Sequence, residues 1–197
     1  MPRLSGVRER RHQPFYDTLI RTTGDPAVPL QALNLLFGNA NVGNLALTNL
    51  QVAGQLAADQ TYVILALRCW MMFQGTNRYN NYVNVINQLF FQLTLGDKPV
   101  FQAQAWYFPA GGGLYSGGPA TTGGGEGSLI NNGYPSQGAI MKLARPIVIP
   151  VRQNISVAAQ FFNVGTTNAL TLLNTGAPDD QKTVTFEIDG LQTRDVQ

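Results

Sequence analysis

The stretch from Val83 to Phe108, VNVINQLFFQLTLGDKPVFQAQAWYF, decides the fold class. In its first half the odd positions are Val83, Val85, Asn87, Leu89, Phe91, Leu93 and Leu95, while Asn84, Gln88, Gln92 and Thr94 occupy even ones. An apolar side chain at every second position places one face of a strand in a core. Gly96, Asp97, Lys98 and Pro99 then read as a turn, because Gly accepts positive φ and Pro fixes φ without donating a hydrogen bond. A second strand is expected over Val100 to Phe108. Strands joined by so tight a turn pair antiparallel, so the domain is expected to begin from antiparallel sheet.

Working outward, Thr61 to Phe73 is apolar on both alternating sets. Val63, Leu65, Leu67, Cys69, Met71 and Phe73 form one, Tyr62, Ile64, Ala66, Trp70 and Met72 the other, and only Arg68 interrupts. A strand buried on both faces needs a second layer over its outer side. Further strands are expected at Asn44 to Val52, Ala139 to Leu143, Ile147 to Val151, Asn154 to Phe162 and Thr183 to Asp189. Pro109 to Ser136 holds ten of the 21 glycines in 28 residues and reads as a long loop. Eight candidate strands with no long amphipathic helix make the expected fold all-β. The specific expectation is a single eight-stranded antiparallel jelly-roll sandwich over residues 30–197, with a Gly-rich loop at 109–136 and an extended basic N-terminal arm over 1–29.

Composition narrows what such a scaffold is for. The 197 residues are 44% hydrophobic but only 12% charged, against a usual figure of roughly 25%. Asn, Gln, Thr, Ser and Gly take the place of charge, and neutral polar surfaces avoid the desolvation cost of burying ions when chains pack together. Basic character is concentrated at the start: Arg3, Arg8, Arg10, Arg11 and Arg21 face only Glu9 and Asp17 up to residue 21. Pro14, Tyr16, Asp17 and Arg21 interrupt any apolar run of signal-peptide length there, and no stretch reaches the roughly 18–20 apolar residues of a membrane span. A lone cysteine, Cys69, excludes an internal disulfide and fits assembly in a reducing compartment.

Catalytic and metal motifs are weak throughout, so no enzyme activity and no cofactor are expected. The single histidine, His12, has no Cys or carboxylate at metal-ligand spacing. Cys69 lies in an apolar strand and reads as a small hydrophobe. Gly125 is followed by Glu126, Gly127 and Ser128, which lacks the Lys and Ser or Thr of a phosphate cradle. Glu187 and Asp189 share one face of a strand and read as solvated charges rather than a calcium site. The arginines of the arm neutralise phosphates or pair with carboxylates of a neighbour. Arg3, Arg8, Arg10, Arg11, Phe15 and Tyr16 are therefore the candidate subunit or nucleic-acid contacts, and Tyr115 and Tyr134 are the candidate contacts of the Gly-rich loop.

Taken together, the basic arm, the eight short strands, the glycine-rich excursion and the sparse charge resemble the jelly-roll capsid proteins of icosahedral viruses. The stretches Leu89 to Phe108 (LFFQLTLGDKPVFQAQAWYF), Arg145 to Phe162 (RPIVIPVRQNISVAAQFF) and Phe186 to Val196 (FEIDGLQTRDV) look most like phage virion proteins of this kind. The resemblance implies a protein made in the host cytoplasm that builds or decorates a capsid shell. Its partners would be copies of itself, other capsid proteins and, through the arm, genomic nucleic acid. The rival expectation is a jelly-roll carbohydrate- or receptor-binding module using Tyr115 and Tyr134.

Overall fold

A computed structural model describes residues 8–22, 34–37, 43–73, 86–108, 115–117, 129–131, 140–161 and 181–195. They form eleven strands: β1 (Arg8–His12), β2 (Phe15–Thr22), β3 (Asn34–Leu36), β4 (Gln60–Phe73), β5 (Leu89–Leu95), β6 (Lys98–Gln104), β7 (Tyr115–Gly117), β8 (Leu129–Asn131), β9 (Met141–Ile149), β10 (Ile155–Phe161) and β11 (Gln181–Asp195). One sheet runs β1-β11-β4-β9, with β2 also on β11; the second runs β3-β10-β5-β6, and β7 pairs with β8. All pairings are antiparallel. Among the described residues no helix is long and apolar enough to cross a membrane.

The two sheets form a sandwich whose core joins their inner faces. Phe186 on β11 lies 4.8 Å, centroid to centroid, from Phe91 on β5 and 5.3 Å from Phe108. Tyr62, Ile64, Leu67, Leu89, Leu93, Ile149, Val157 and Ile188 fill the space around these rings. The alternation read in β5, β10 and the first half of β11 is what supplies this apolar face.

The pairings are nested. β2 lies against β11, β3 against β10, β4 against β9 and β5 against β6. The chain is thus one antiparallel ribbon whose tip is the β5–β6 hairpin, and β11–β4 and β10–β5 pairing gathers it into two sheets. At the tip Gly96 has φ 61°, the geometry favouring Gly at the first central residue of a two-residue hairpin turn. Its amide donates to the Asn154 carbonyl at 2.8 Å, so the turn is docked on the segment preceding β10.

One level of the first sheet is irregular in every strand. β1 and β2 are collinear along β11 and separated by Gln13 and Pro14; Pro14 has no amide to give the ladder. Opposite them β11 shifts register between Asp189 and Gly190 as β4 sets Leu65 out of the ladder. On the far side of β4, β9 skips from Lys142 to Ile147. A Cβ on Gly190 would sit 2.0 Å from the Val63 carbonyl oxygen, so only glycine permits this approach. The Tyr62 hydroxyl ties the level together, 2.6 Å from the Gln13 carbonyl and 2.9 Å from the Ile188 carbonyl.

The bulge at Leu65 also accounts for the doubly apolar strand. Tyr62 and Ile64 face the core before it, and Leu67, Cys69 and Met71 face the core after it. β4 therefore switches its inward set from even to odd positions and has no need of a covering layer along its length.

Other expectations are corrected. Residues 8–22, read as an arm, enter the sheet as β1 and β2. Asn44 to Val52 is no strand: the amides of Leu47 and Thr48 both donate to the Asn44 carbonyl at 2.9 Å, and its side-chain oxygen takes the Ala46 amide at 3.1 Å. Such local capture competes with a ladder. Ile86 to Gln88 form a helical turn, so the predicted strand begins only at Leu89, and Ala105 to Tyr107 form a 3₁₀ turn that ends β6 early. The two strands expected around Arg145 and Pro146 are the single β9, and β11 runs six residues past Asp189. Among the described residues β1, β2, β3, β7 and β8 fall outside the stretches read as strands. Val83 to Val85 and most of 109–136 lie outside the described residues.

Replacing Gly190 by Ala is expected to cost at least about 3 kcal/mol, because backbone rather than a flexible side chain must move. Tyr62→Phe is expected to cost about 1–2 kcal/mol for two lost acceptor contacts. Urea unfolding followed by circular dichroism measures both, and a Gly190→Ala midpoint equal to wild type would contradict the close approach.

Candidate functional site

The described arm residues lie along one side of β11 in the first sheet, in β1 and β2. In β1 the alternation of a strand sends Arg8, Arg10 and His12 to one side and Glu9 and Arg11 to the other. Glu9 pairs with Arg194 at 2.6 Å, and Arg11 Nε donates to the Gln192 side-chain oxygen at 2.6 Å. β2 has its free edge covered: the Tyr16 amide donates to Asn49 Oδ1 at 3.0 Å and the Thr48 hydroxyl to the Tyr16 carbonyl at 2.9 Å. β1 has no second partner strand among the described residues. An open edge of this kind pairs with another strand unless charge or bulges discourage it.

The outer face beside β1 carries a row of charges. Arg68 on β4 bridges two carboxylates of β11, Asp189 through Nη2 and Glu187 through Nη1, the latter at 3.5 Å. His12 Nε2 contacts the other oxygen of Asp189. Asp189 and Glu187, expected as solvated charges, are instead largely buried and share the Arg68 cation. Burial is the main cause that raises the Glu187 carboxyl above its usual value of 4.5; the Arg68 charge opposes it and Asp189 adds to it. Arg68 Nε is buried with no hydrogen-bond partner among the described residues. Next to this row Leu191, Val63 and Val148 lie side by side across β11, β4 and β9, and Val148 is 61% exposed. Leu65, projecting from the bulge, adds to this apolar strip.

The candidate contacts separate on inspection. Arg8 and Arg10 are on the exposed side of β1, whereas Arg11 is half-buried on the inner side. Phe15 is buried in the sandwich's own core with its ring 4.7 Å from Tyr62. The Tyr16 hydroxyl donates to the Leu45 carbonyl within the same chain. Tyr115 opens β7, opposite Asn131 of β8, and Arg3 and Tyr134 lie outside the described residues. Cys69 is buried, and burial pushes its thiol up and away from reactivity. No three His, Cys, Asp or Glu side chains among the described residues converge as a metal site.

Two features were not found from the sequence. Arg68 was visible as the one charge in an apolar strand, but its partners lie more than a hundred residues away on β11. Trp106 and Tyr107 are 54% and 48% exposed at the end of β6, with the Trp106 indole donating to Gln104 Oε1 at 2.5 Å. In the sequence their apolar bulk reads as the end of a strand.

Neither the models of known protein families nor the curated proteins contain a match to this sequence.

The raised Glu187 carboxyl has a signed consequence. The folded chain keeps this proton at pH values where the unfolded chain has lost it. The stability from this group is therefore complete below 4.5 and declines as pH rises through the raised value. Denaturant midpoints of wild type should fall across that interval more than those of Glu187→Gln; parallel profiles for the two proteins would contradict the buried carboxyl.

Proposed function

We propose that this chain is a virion structural protein of the phage capsid type, which builds or decorates an icosahedral shell through β1 and the outer face of its first sheet. The jelly-roll part of the reading rests on the nested order of pairing. Numbering the eight nested strands in chain order, the sheets read 1-8-3-6 and 2-7-4-5, the order expected when one antiparallel ribbon is rolled into two Greek keys. That supports the jelly-roll reading, a double-sheet architecture used by capsid, lectin and cupin domains. Fold alone does not choose among those functions. The open β1 edge, the apolar strip at Leu65, Val63 and Val148, and the low overall charge favour side-by-side packing of chains.

Partners under this reading are copies of the chain and other capsid proteins, with nucleic acid reached through the arm arginines. A second reading, a carbohydrate- or receptor-binding module, is favoured by exposed Trp106 and Tyr107 beside the amide of Gln104. Aromatic faces and uncharged amides suit a sugar.

Deleting residues 1–12 removes β1 and spares β2. The expected result is a folded sandwich by circular dichroism that no longer assembles, read as the mass of the species in solution by light scattering. Wild-type protein that stays monomeric at high concentration and does not associate with particles would overturn the shell reading. A glycan array with specific binding, lost in Trp106→Ala, would establish the second.

A further inference from the structure

We propose that the cavity between β1, the segment around Asn49 to Ala57 and the paired residues Gln60 and Gln192 is a carboxylate-binding site centred on Arg11. The cavity measures about 170 Å³ and is lined by eleven residues, of which six are side-chain amides, four are apolar and one, Arg11, is charged. No acidic residue lines it. Arg68 and Arg194 have carboxylates of the chain beside them; Arg11 has none among the described residues.

The geometry sets Arg11 in position and leaves its binding atoms open. Arg11 Nε donates to Gln192 Oε1 at 2.6 Å, and Gln192 Nε2 donates onward to Gln60 Oε1 at 2.7 Å. Gln192 is only 2% exposed, so this relay is fixed by packing. With its Nε engaged, the guanidinium keeps both terminal nitrogens, which have no partner among the described residues, and the Gln60 amide nitrogen is likewise unspent. A planar pair of oxygens matches such a fork in two parallel hydrogen bonds. The single positive charge balances a monoanion rather than a phosphate of charge near −2. The wall of Phe15, Leu50 and Leu56 suits a short aliphatic stem. A carboxylate on a stem of a few carbons fits all three features, whether from a free small acid or from an acidic side chain of a second copy.

The test uses the full chain. Side-chain resonances of Arg11 Nε and of the Gln60 and Gln192 amides are followed by nitrogen-edited NMR during titration with acetate, capped glutamate, capped glutamine and inorganic phosphate. Saturable shifts with acetate and capped glutamate are expected, with at least tenfold weaker response to capped glutamine and to phosphate. Arg11→Gln should abolish them, and Arg11→Lys, which keeps the charge and loses the fork, should weaken them severalfold. Gln60→Leu leaves β1 intact and should also weaken them, so the result does not hang on the folding of one variant. Acetate that dissociates self-associated protein identifies the neighbour's side chain as the source. Acetate that binds without changing the mass identifies a free acid. Equal response to glutamate and glutamine, binding retained in Arg11→Gln, tighter binding of phosphate, or no saturable shift overturns the proposal.

Discussion

Much of this structure depends on how closely two backbones approach at Gly190. With no Cβ, β11 comes near enough to β4 for the Val63 carbonyl to occupy the space a side chain would need. The register shift there expels Leu65, reverses the inward phase of β4 and sets the break at Gln13 and Pro14 opposite it. It also fixes Asp189 on the outer face one residue before the shift, where Arg68 and His12 meet it. Core packing, the edge strand and the charge row are thus settled by one contact. Tyr62 supplies the polar closure, since its hydroxyl reaches the carbonyls that the irregular ladder leaves available.

What the sequence made legible were the elements whose cause is local. Leu89, Phe91 and Leu93 alternate inward as read, and the turn at Gly96 falls where turn chemistry places it. The alternation in Ile155, Val157 and Ala159 is likewise the buried face of β10. Elements decided by distant partners were not legible. Residues 8–22 lack a sustained apolar period because they are edge strands held by β11, about 170 residues away, through polar side chains as much as apolar ones. Asn44 to Val52 has apolar alternation, yet an asparagine at its start captures the following amides. In β4 a bulge makes two half-strands of opposite phase look like one strand buried twice. Of the site, the arginines are visible by composition, but the division between Arg11 on the half-buried side and Arg8 and Arg10 on the exposed side needed the register of β1 on β11.

Sparse charge shapes the surfaces that remain. On the second sheet Gln102 donates to Gln92 at 2.8 Å and Gln92 to Thr94 at 3.3 Å. Amide ladders of this kind satisfy one another and can be covered without stranding an ion. On the first sheet Arg68, Glu187 and Asp189 form a compact ionic row beside an apolar strip. Covering that face removes Leu65 and Val148 from water while the paired carboxylates already share the Arg68 cation. That part of the face loses little on being covered, in contrast to one studded with isolated lysines and glutamates.

The two collinear edge strands differ in how firmly they are held. β2 carries Phe15 into the core, a burial worth about 1.5–3 kcal/mol, and the Thr48 and Asn49 contacts cover its far edge. β1 is held by its ladder, by the Glu9–Arg194 pair, by the Arg11 hydrogen bond to Gln192 and by the His12–Asp189 contact, with no buried apolar side chain of its own. An ion pair as exposed as Glu9 with Arg194 contributes about 0.2–1 kcal/mol. β1 is therefore the strand of this sheet that detaches at least cost, and the break at Gln13 and Pro14 lets it do so without disturbing β2. Detachment would also uncover the last residues of β11, from Leu191 to Asp195, as a second free edge. An exchange of β1 between two chains would replace both lost ladders with equivalent ones.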